Sequence, residues 1–134
     1  MDLHKPAAII LLLDSERVMR AGIRDALEEA GYMVITAGDL GKAVDRLDEM
    51  RPDLLITRPY INSMPGWMAA EYLRTKRNGL PVLIVAGFME DDRTEVRNAI
   101  QDFFTFPAPF RRADLLAEVK KVLDQVRSRT EPRV

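Results

Sequence analysis

Apolar and polar residues follow two different patterns along the chain. Short, almost continuous apolar runs are typical of strands that are covered on both faces of a sheet. Such runs predict five strands, at Ala8–Leu13, Met33–Ala37, Leu54–Thr57, Pro81–Ala86 and Phe103–Phe106.

Longer segments with apolar residues at helical spacing lie between and after these runs. They predict five helices, at Arg17–Ala30, from Leu40 to the stop at Arg51-Pro52, at Trp67–Lys76, at Asp92–Ile100 and at Ala113–Val126. Gly31 is expected to close the first helix, and Asp39 is expected to cap the second. The segment from Arg58 to Gly66 is rich in turn-forming residues and is predicted to be a loop.

Strands that alternate with helices imply right-handed crossovers and a parallel sheet with helices on both faces. The predicted fold class is therefore α/β, a flavodoxin-like, doubly wound (βα)5 sheet with strand order 2-1-3-4-5. In this topology the crevice lies at the carboxyl ends of the first and third strands, at Leu13-Asp14 and Thr57-Arg58. We predict one domain over residues 1–127 and a polar tail over residues 128–134.

Composition narrows the function classes. The 134 residues include 20 basic and 21 acidic side chains, so the net charge of -1 gives no field to attract nucleic acid or an acidic membrane. The apolar run Ala7–Leu13 is too short to cross a membrane, and there are no cysteines to form disulfides or thiolate metal sites. A cytoplasmic protein without a nucleic-acid or membrane partner is expected.

Several motifs occur in order over residues 7 to 126. They are the apolar strand before Asp14, the run Leu27–Val34, the entry Arg51–Leu55 to the third strand, Gly66, Pro81-Val82, and Pro109-Phe110 before the last helix. Together these motifs resemble the receiver domains of two-component response regulators, which act in phosphorelay signal transduction.

The resemblance implies a pocket whose phosphoryl chemistry is lost. Family receivers bind Mg²⁺ with two acidic residues after the first strand and accept a phosphoryl group on an aspartate after the third. Asp14 occupies the first acidic position and Ser15 the second, followed by Glu16, whereas the acceptor position holds Arg58. An arginine has a fixed positive charge and no acceptor oxygen. We expect Arg58 to pair with Asp14 or with Glu16 in place of the metal.

Two further positions lack the side chains that the resemblance implies. Ala86 stands where the family places a Ser or Thr after the fourth strand. Ala108, or Phe106 in a shifted register, stands where the family places a Lys. The expected protein is a receiver-like signalling module, not an enzyme, with no cofactor and no bound Mg²⁺. It is expected to act through contacts with other proteins.

The resemblance also implies a partner surface, formed by the fourth helix, the fifth strand and the last helix. Candidate residues there are Phe103, Thr105 and Phe106. The aromatic residues Phe103, Phe104, Phe106 and Phe110 are more than the last strand can easily bury. A homodimer or a protein partner is expected on this face. The switch position of the family falls on Thr105 or on Phe103, depending on the register.

Other candidate groups favour structural interpretations. Asp53 lies at the end of the third strand away from the crevice, and Thr57 has no general base nearby in the sequence. Met64, Trp67 and Met68 are expected to pack in the core.

Two alternative functions remain open on the sequence. One is a working phosphoryl-accepting receiver with a rearranged site. The other is a flavodoxin-like cofactor-binding domain. The second requires a phosphate-binding loop after the first strand, yet the sequence there is Asp14-Ser15-Glu16-Arg17.

Overall fold

The computed structural model describes residues 6–86, 103–107 and 110–130. The strands are β1 (Ile9–Leu13), β2 (Met33–Ala37), β3 (Leu54–Thr57), β4 (Tyr60–Ile61), β5 (Met64–Pro65), β6 (Val82–Ala86) and β7 (Phe104–Pro107). The helices are α1 (Arg17–Glu29), α2 (Leu40–Glu49), α3 (Gly66–Lys76) and α4 (Arg112–Thr130).

A five-stranded parallel sheet forms the centre of the domain, with strand order β2-β1-β3-β6-β7. Strands β4 and β5 form a separate antiparallel hairpin. If only the strands of the main sheet are numbered, the order is 2-1-3-4-5, so the predicted α/β flavodoxin-like fold is confirmed.

Helices cover both faces of this sheet, which explains why its strands are apolar at consecutive positions. On one face, Leu11, Leu13, Leu55 and Ile84 belong to the same buried cluster as residues of α2 and α3. On the other face, residues of the strands join residues of α1 and α4. The strand members are Ile10, Leu12, Leu54, Ile56, Leu83 and Val85, and Ala8 just before β1 belongs to the same cluster. Neighbouring residues of a strand therefore serve opposite cores.

The predicted helix ends agree with local backbone geometry. Gly31 has φ +98°, a left-handed conformation that suits glycine and stops α1. The side chain of Asp39 accepts a hydrogen bond from the Lys42 backbone N–H at 2.8 Å, which caps α2 as predicted.

Two predicted boundaries need correction. The expected loop from Arg58 to Gly66 contains the β4–β5 hairpin. The last helix extends to Thr130, so the first residues of the predicted polar tail are helical. Val126 packs against the core and Arg127 donates a hydrogen bond to the Ala7 carbonyl, and both contacts hold the final turns. The predicted helix Asp92–Ile100 lies outside the described residues.

The prediction that Met64 and Met68 pack in the core is wrong. Met64 is 36% exposed and Met68 is 47% exposed. Helix α3 faces the core with Ala69, Ala70 and Leu73, which leaves Met68 on the opposite side. Trp67 is partly buried against the core, as predicted.

Phe103 is not an exposed aromatic residue, contrary to its expected place on a partner surface. It is 8% exposed, and the guanidinium carbon of Arg74 lies 4.6 Å from its ring centroid. Phe104 and Phe110 are partly buried against the core. The side chains of Thr105 and Phe106 lie outside the described part of the chain. Within that part, no helix is long and apolar enough to span a membrane.

Two helical glycines provide a matched test of the packing. A Cβ atom at Gly66 would overlap the Arg58 carbonyl oxygen, whereas a Cβ at Gly22 of α1 would meet open space. We expect Gly66→Ala to lower the free energy of unfolding by about 1–3 kcal/mol through steric overlap. Gly22→Ala should raise it by about 0.5–1 kcal/mol because alanine favours the helix. Urea unfolding of both variants checks this, and a harmless Gly66→Ala would contradict it.

Candidate functional site

The register of the sheet brings the two central residues of the site together. Leu13, the last residue of β1, pairs with Ala37 on one side and with Thr57, the last residue of β3, on the other. Asp14 and Arg58 directly follow these paired residues. Because neighbouring strands lie about 4.8 Å apart, both side chains start from the same carboxyl edge.

Three hydrogen bonds fix the position of Asp14. Its backbone N–H donates to the Ala37 carbonyl at 3.0 Å, and its carboxylate Oδ1 accepts from the Glu16 backbone N–H at 2.9 Å. Its carbonyl oxygen accepts from Arg20 Nη1 at 2.7 Å. The side chain is only 2% exposed, so this carboxylate is a buried and fixed acceptor.

Arg58 extends its guanidinium toward the remaining carboxylate oxygen. Arg58 Nε lies 3.8 Å from Asp14 Oδ2, and the Arg58 side chain is 17% exposed. Of the two expected partners, the structure therefore selects Asp14, while Glu16 is exposed and contributes its backbone N–H. Neither Asp14 Oδ2 nor Arg58 Nη1 has a hydrogen-bond partner among the described residues, although both atoms are buried. The contact is an ion pair without a hydrogen bond.

Burial is the strongest influence on the Asp14 carboxyl and raises its pKa above the ordinary value. The hydrogen bond from Glu16 and the positive charge of Arg58 lower this pKa by smaller amounts. Opposite charges about 4 Å apart attract by about 4 kcal/mol at an effective dielectric constant of about 20. Arg58 therefore offsets part of the cost of burying the carboxylate, but not all of it.

Ser15 orients the hairpin beside the pocket. Its Oγ accepts a hydrogen bond from the Asn62 backbone N–H at 3.1 Å. Asn62 has φ +56°, a left-handed conformation that asparagine tolerates better than most residues. The Gly66 N–H donates to the Pro59 carbonyl at 2.7 Å, which joins the start of α3 to the segment after β3.

The other hydroxyl and carboxyl groups near β3 make structural contacts. Asp53 Oδ2 accepts from the Ile9 backbone N–H at 2.8 Å, at the end of β3 away from the pocket. Thr57 is fully buried, and its Oγ1 donates to the Arg58 carbonyl at 3.4 Å. Neither group is presented to a substrate in the crevice.

Of the positions on the predicted site and partner surface, Ala86 and Thr105 are described through their backbone only, and Ala108 is not described. Ala86 ends β6, where it pairs with Pro107, and Thr105 pairs with Ile84. The side chain of Ala86 and the whole of Ala108 lie outside the described residues. The family positions assigned to them remain predictions.

Arg20 and Asn62 belong to the pocket but were not singled out from the sequence. Arg20 lies on α1 and reaches the Asp14 carbonyl only because that helix folds back along β1. Asn62-Ser63 does carry a turn signal, but the sequence does not show that its N–H meets Ser15.

No group of three or more His, Cys, Asp or Glu side chains able to hold a metal ion occurs among the described residues. In the pocket itself, Asp14 Oδ1 already accepts a backbone hydrogen bond and Oδ2 faces a cation. Hard divalent cations require several oxygen ligands. The donor set seen here does not match that requirement.

Replacing Arg58 tests the electrostatic contact directly. We expect Arg58→Met to raise the pKa of Asp14 further, because the variant removes a charge that favours the carboxylate. NMR titration of the Asp14 side-chain carboxyl carbon measures this pKa. Arg24→Met removes an exposed guanidinium on α1 and serves as the control that leaves the Asp14 titration unchanged. An unchanged Asp14 pKa in Arg58→Met would contradict the contact.

The raised pKa of Asp14 also predicts a pH dependence of stability. A carboxyl whose pKa is raised by folding contributes fully at low pH, and this contribution is lost as pH rises through the folded pKa. The free energy of unfolding of the wild type, relative to that of Asp14→Asn, should therefore fall over this range. Urea unfolding of both proteins from acidic to neutral pH measures the difference. A difference that grows with pH would show that folding lowers this pKa instead.

Comparison with known proteins agrees with the α/β fold. The family model described as "Response regulator receiver domain" matches residues 10–120. "Response regulator MprA" of Mycobacterium avium (strain 104) is 31% identical over 124 residues, which are 92% of this chain and 52% of that protein. The same protein from Mycobacterium tuberculosis (strain ATCC 25618 / H37Rv) gives the same values. The chain thus spans about half the length of these curated relatives.

Solved structures share the fold at lower identity. A CheY-like response regulator receiver domain protein from Methanospirillum hungatei JF-1 has a TM-score of 0.81 at 21% identity, covering 91% of this chain and 98% of that one. NtrX from Brucella abortus in complex with ATP has a TM-score of 0.82 at 21% identity, covering 92% and 28%. The matched family, the MprA relatives and the parallel sheet lead to one conclusion: this chain belongs to the response regulator receiver domain family.

Proposed function

We propose that this receiver domain is a degenerate, or pseudo-, receiver, which signals by binding other proteins and does not accept a phosphoryl group. The observation that carries the proposal is the position of Arg58. It directly follows β3, and its guanidinium nitrogen lies 3.8 Å from Asp14 Oδ2. The acceptor carboxylate of a working receiver is expected at this place in the sheet.

Phosphoryl transfer to a receiver requires an oxygen nucleophile in the crevice. A guanidinium offers donors only and stays charged at all physiological pH values. Thr57, the nearest hydroxyl on the same strand, is buried and directed to the Arg58 carbonyl. Asp53 is engaged at the far end of β3. These contacts argue against a rearranged acceptor on β3.

We further propose that Mg²⁺ does not bind. Ser15 replaces one of the two acidic ligands, and its hydroxyl oxygen already accepts from Asn62. The Arg58 guanidinium supplies the positive charge that a metal would place beside Asp14. An incoming cation would have to displace this side chain against electrostatic repulsion.

The cofactor-binding alternative receives no support from the segment after β1. A phosphate cradle presents several free backbone N–H groups and no anion. Here the Glu16 N–H donates to Asp14, and the carboxylates of Asp14 and Glu16 lie at this end of the sheet. A flavin or nucleotide phosphate would meet negative charge.

In the proposed function, the domain transmits a signal by binding other proteins and has no enzymatic activity. In this proposal the domain works in the cytoplasm within a two-component pathway, as part of a relay whose other members bind it by shape and charge. The predicted face, formed by the predicted helix Asp92–Ile100 together with β7 and α4, remains one candidate surface for a protein partner.

The proposal predicts that acetyl phosphate with Mg²⁺ leaves the protein unmodified. Intact-mass spectrometry measures the uptake of a phosphoryl group, and a receiver with an intact acceptor aspartate serves as the positive control. We expect no added phosphoryl mass on the wild type because the crevice offers no free carboxylate nucleophile. A phosphorylated wild-type chain, with the group mapped to any residue beside Asp14, would refute the proposal.

A further inference from the structure

The turn that follows α3 contains an asparagine followed by a glycine, Asn78-Gly79, and both residues are exposed. The helix ends at Lys76, and its C-cap residue Arg77 leads directly into this turn. Gly79 has φ +79°, a left-handed conformation that glycine adopts without strain. The turn then enters the sheet through Leu80, just before β6.

Few interactions hold this turn in place. Among the described residues, the Asn78 side chain has no hydrogen-bond partner and the Gly79 backbone N–H donates to no acceptor. The bond that closes the turn runs from the Leu80 N–H to the Arg77 carbonyl at 3.4 Å, beyond the usual range of about 2.7–3.2 Å. Exposed segments with few and weak hydrogen bonds open locally at a low free-energy cost.

We propose that Asn78 is a site of spontaneous deamidation, which converts its side-chain amide into a carboxylate. The Gly79 backbone nitrogen attacks the Asn78 side-chain carbonyl carbon, a C–N bond forms there, and the bond from this carbon to the side-chain NH2 group breaks. That group leaves as ammonia with the proton of the Gly79 amide, and a cyclic succinimide remains. Water then opens the ring at either carbonyl and gives aspartate or isoaspartate. The net reaction consumes water and releases ammonia.

Glycine at position 79 favours this attack. It has no Cβ atom to hinder the approach of its nitrogen to the Asn78 side chain. Apart from the chain neighbours of Gly79, no atom of the described residues lies within 4 Å of the point where a Cβ would stand. The turn is therefore not packed against the body of the domain there, and closure of the ring displaces no neighbouring side chain.

Asn62 provides a comparison within the same chain, because it is also exposed in a turn. Its backbone N–H donates to Ser15 Oγ at 3.1 Å, and the paired strands β4 and β5 hold both sides of the turn. The next residue, Ser63, has a Cβ atom. Asn62 should therefore deamidate more slowly than Asn78. Asn98 lies outside the described residues.

Deamidation changes both the charge and the chain path at the end of α3. A carboxylate at position 78 adds negative charge near the C-terminus of the helix, where the helix dipole disfavours it. Isoaspartate also adds a carbon atom to the main chain two residues before Leu80. That residue is 1% exposed, and its carbonyl accepts from Arg74 Nε at 2.9 Å. We therefore expect the isoaspartate form to unfold at a lower urea concentration than the asparagine form.

This modification goes beyond the proposed pseudo-receiver function and does not depend on it. Gly66 at the start of α3 lies against the Arg58 backbone, whereas Asn78 follows the other end of the helix. The reaction requires no phosphoryl donor and no metal ion. Its outcome is therefore separate from that of the acetyl phosphate experiment.

Peptide mapping by mass spectrometry, after incubation of the folded chain at mildly alkaline pH, tests the proposal. We expect Asn78 to convert before Asn62, with both aspartate and isoaspartate present, and protein isoaspartyl methyltransferase should label the product. The same incubation in urea measures the conversion of the unfolded chain. The rates at Asn78 in the folded and unfolded chains should agree within about tenfold, because the folded turn opens easily.

Asn78→Gln is the matched control, since Asn78 has no hydrogen bond to lose among the described residues and glutamine forms the corresponding larger ring much more slowly. After incubation, the urea midpoint of the wild type should fall and that of Asn78→Gln should stay unchanged. An Asn78 that converts in urea but stays intact in the folded chain would overturn the proposal. Equal or faster conversion at Asn62, or undiminished methyltransferase labelling of Asn78→Gln, would also overturn it.

Discussion

The contact between Asp14 and Arg58 is the constraint around which the functional end of this domain is built. A parallel sheet of this topology brings the carboxyl ends of β1 and β3 side by side, so any charge at one end faces the residue at the other. Asp14 is almost completely buried there, and its negative charge requires a nearby positive group. Arg58 supplies it from within the chain. In the proposed function this fixed charge takes the place of an exchangeable cation.

The same region links the pocket to the surface of α3. The Ser15 hydroxyl fixes the β4–β5 hairpin through Asn62, and Gly66 lets α3 begin directly against the Arg58 backbone. A shift of the Arg58 backbone is therefore expected to displace the start of α3 first.

Much of the fold follows from local sequence, and much of the site does not. Continuous apolar runs marked the strands because both sheet faces are covered, and the cap at Asp39 and the left-handed Gly31 fixed helix ends. The sequence also placed Arg58 opposite Asp14. The sequence did not predict the hydrogen bond from Arg20 to the Asp14 carbonyl, because that contact depends on how α1 packs on the sheet. It also did not predict that Met68 is exposed. Apolar character predicted burial there, but the small residues of α3 already fill the core side.

Titration with Mg²⁺, followed through the amide NMR signals of Asp14 and Ser15, tests the central claim most directly. With Arg58 beside Asp14, these signals should not shift saturably at millimolar Mg²⁺. The double variant Ser15→Asp/Arg58→Asp would place three carboxylates at the same edge, and its signals should shift saturably as the ion binds. Saturable shifts at Asp14 in the wild type would show that the arginine does not exclude the metal, and would contradict the account.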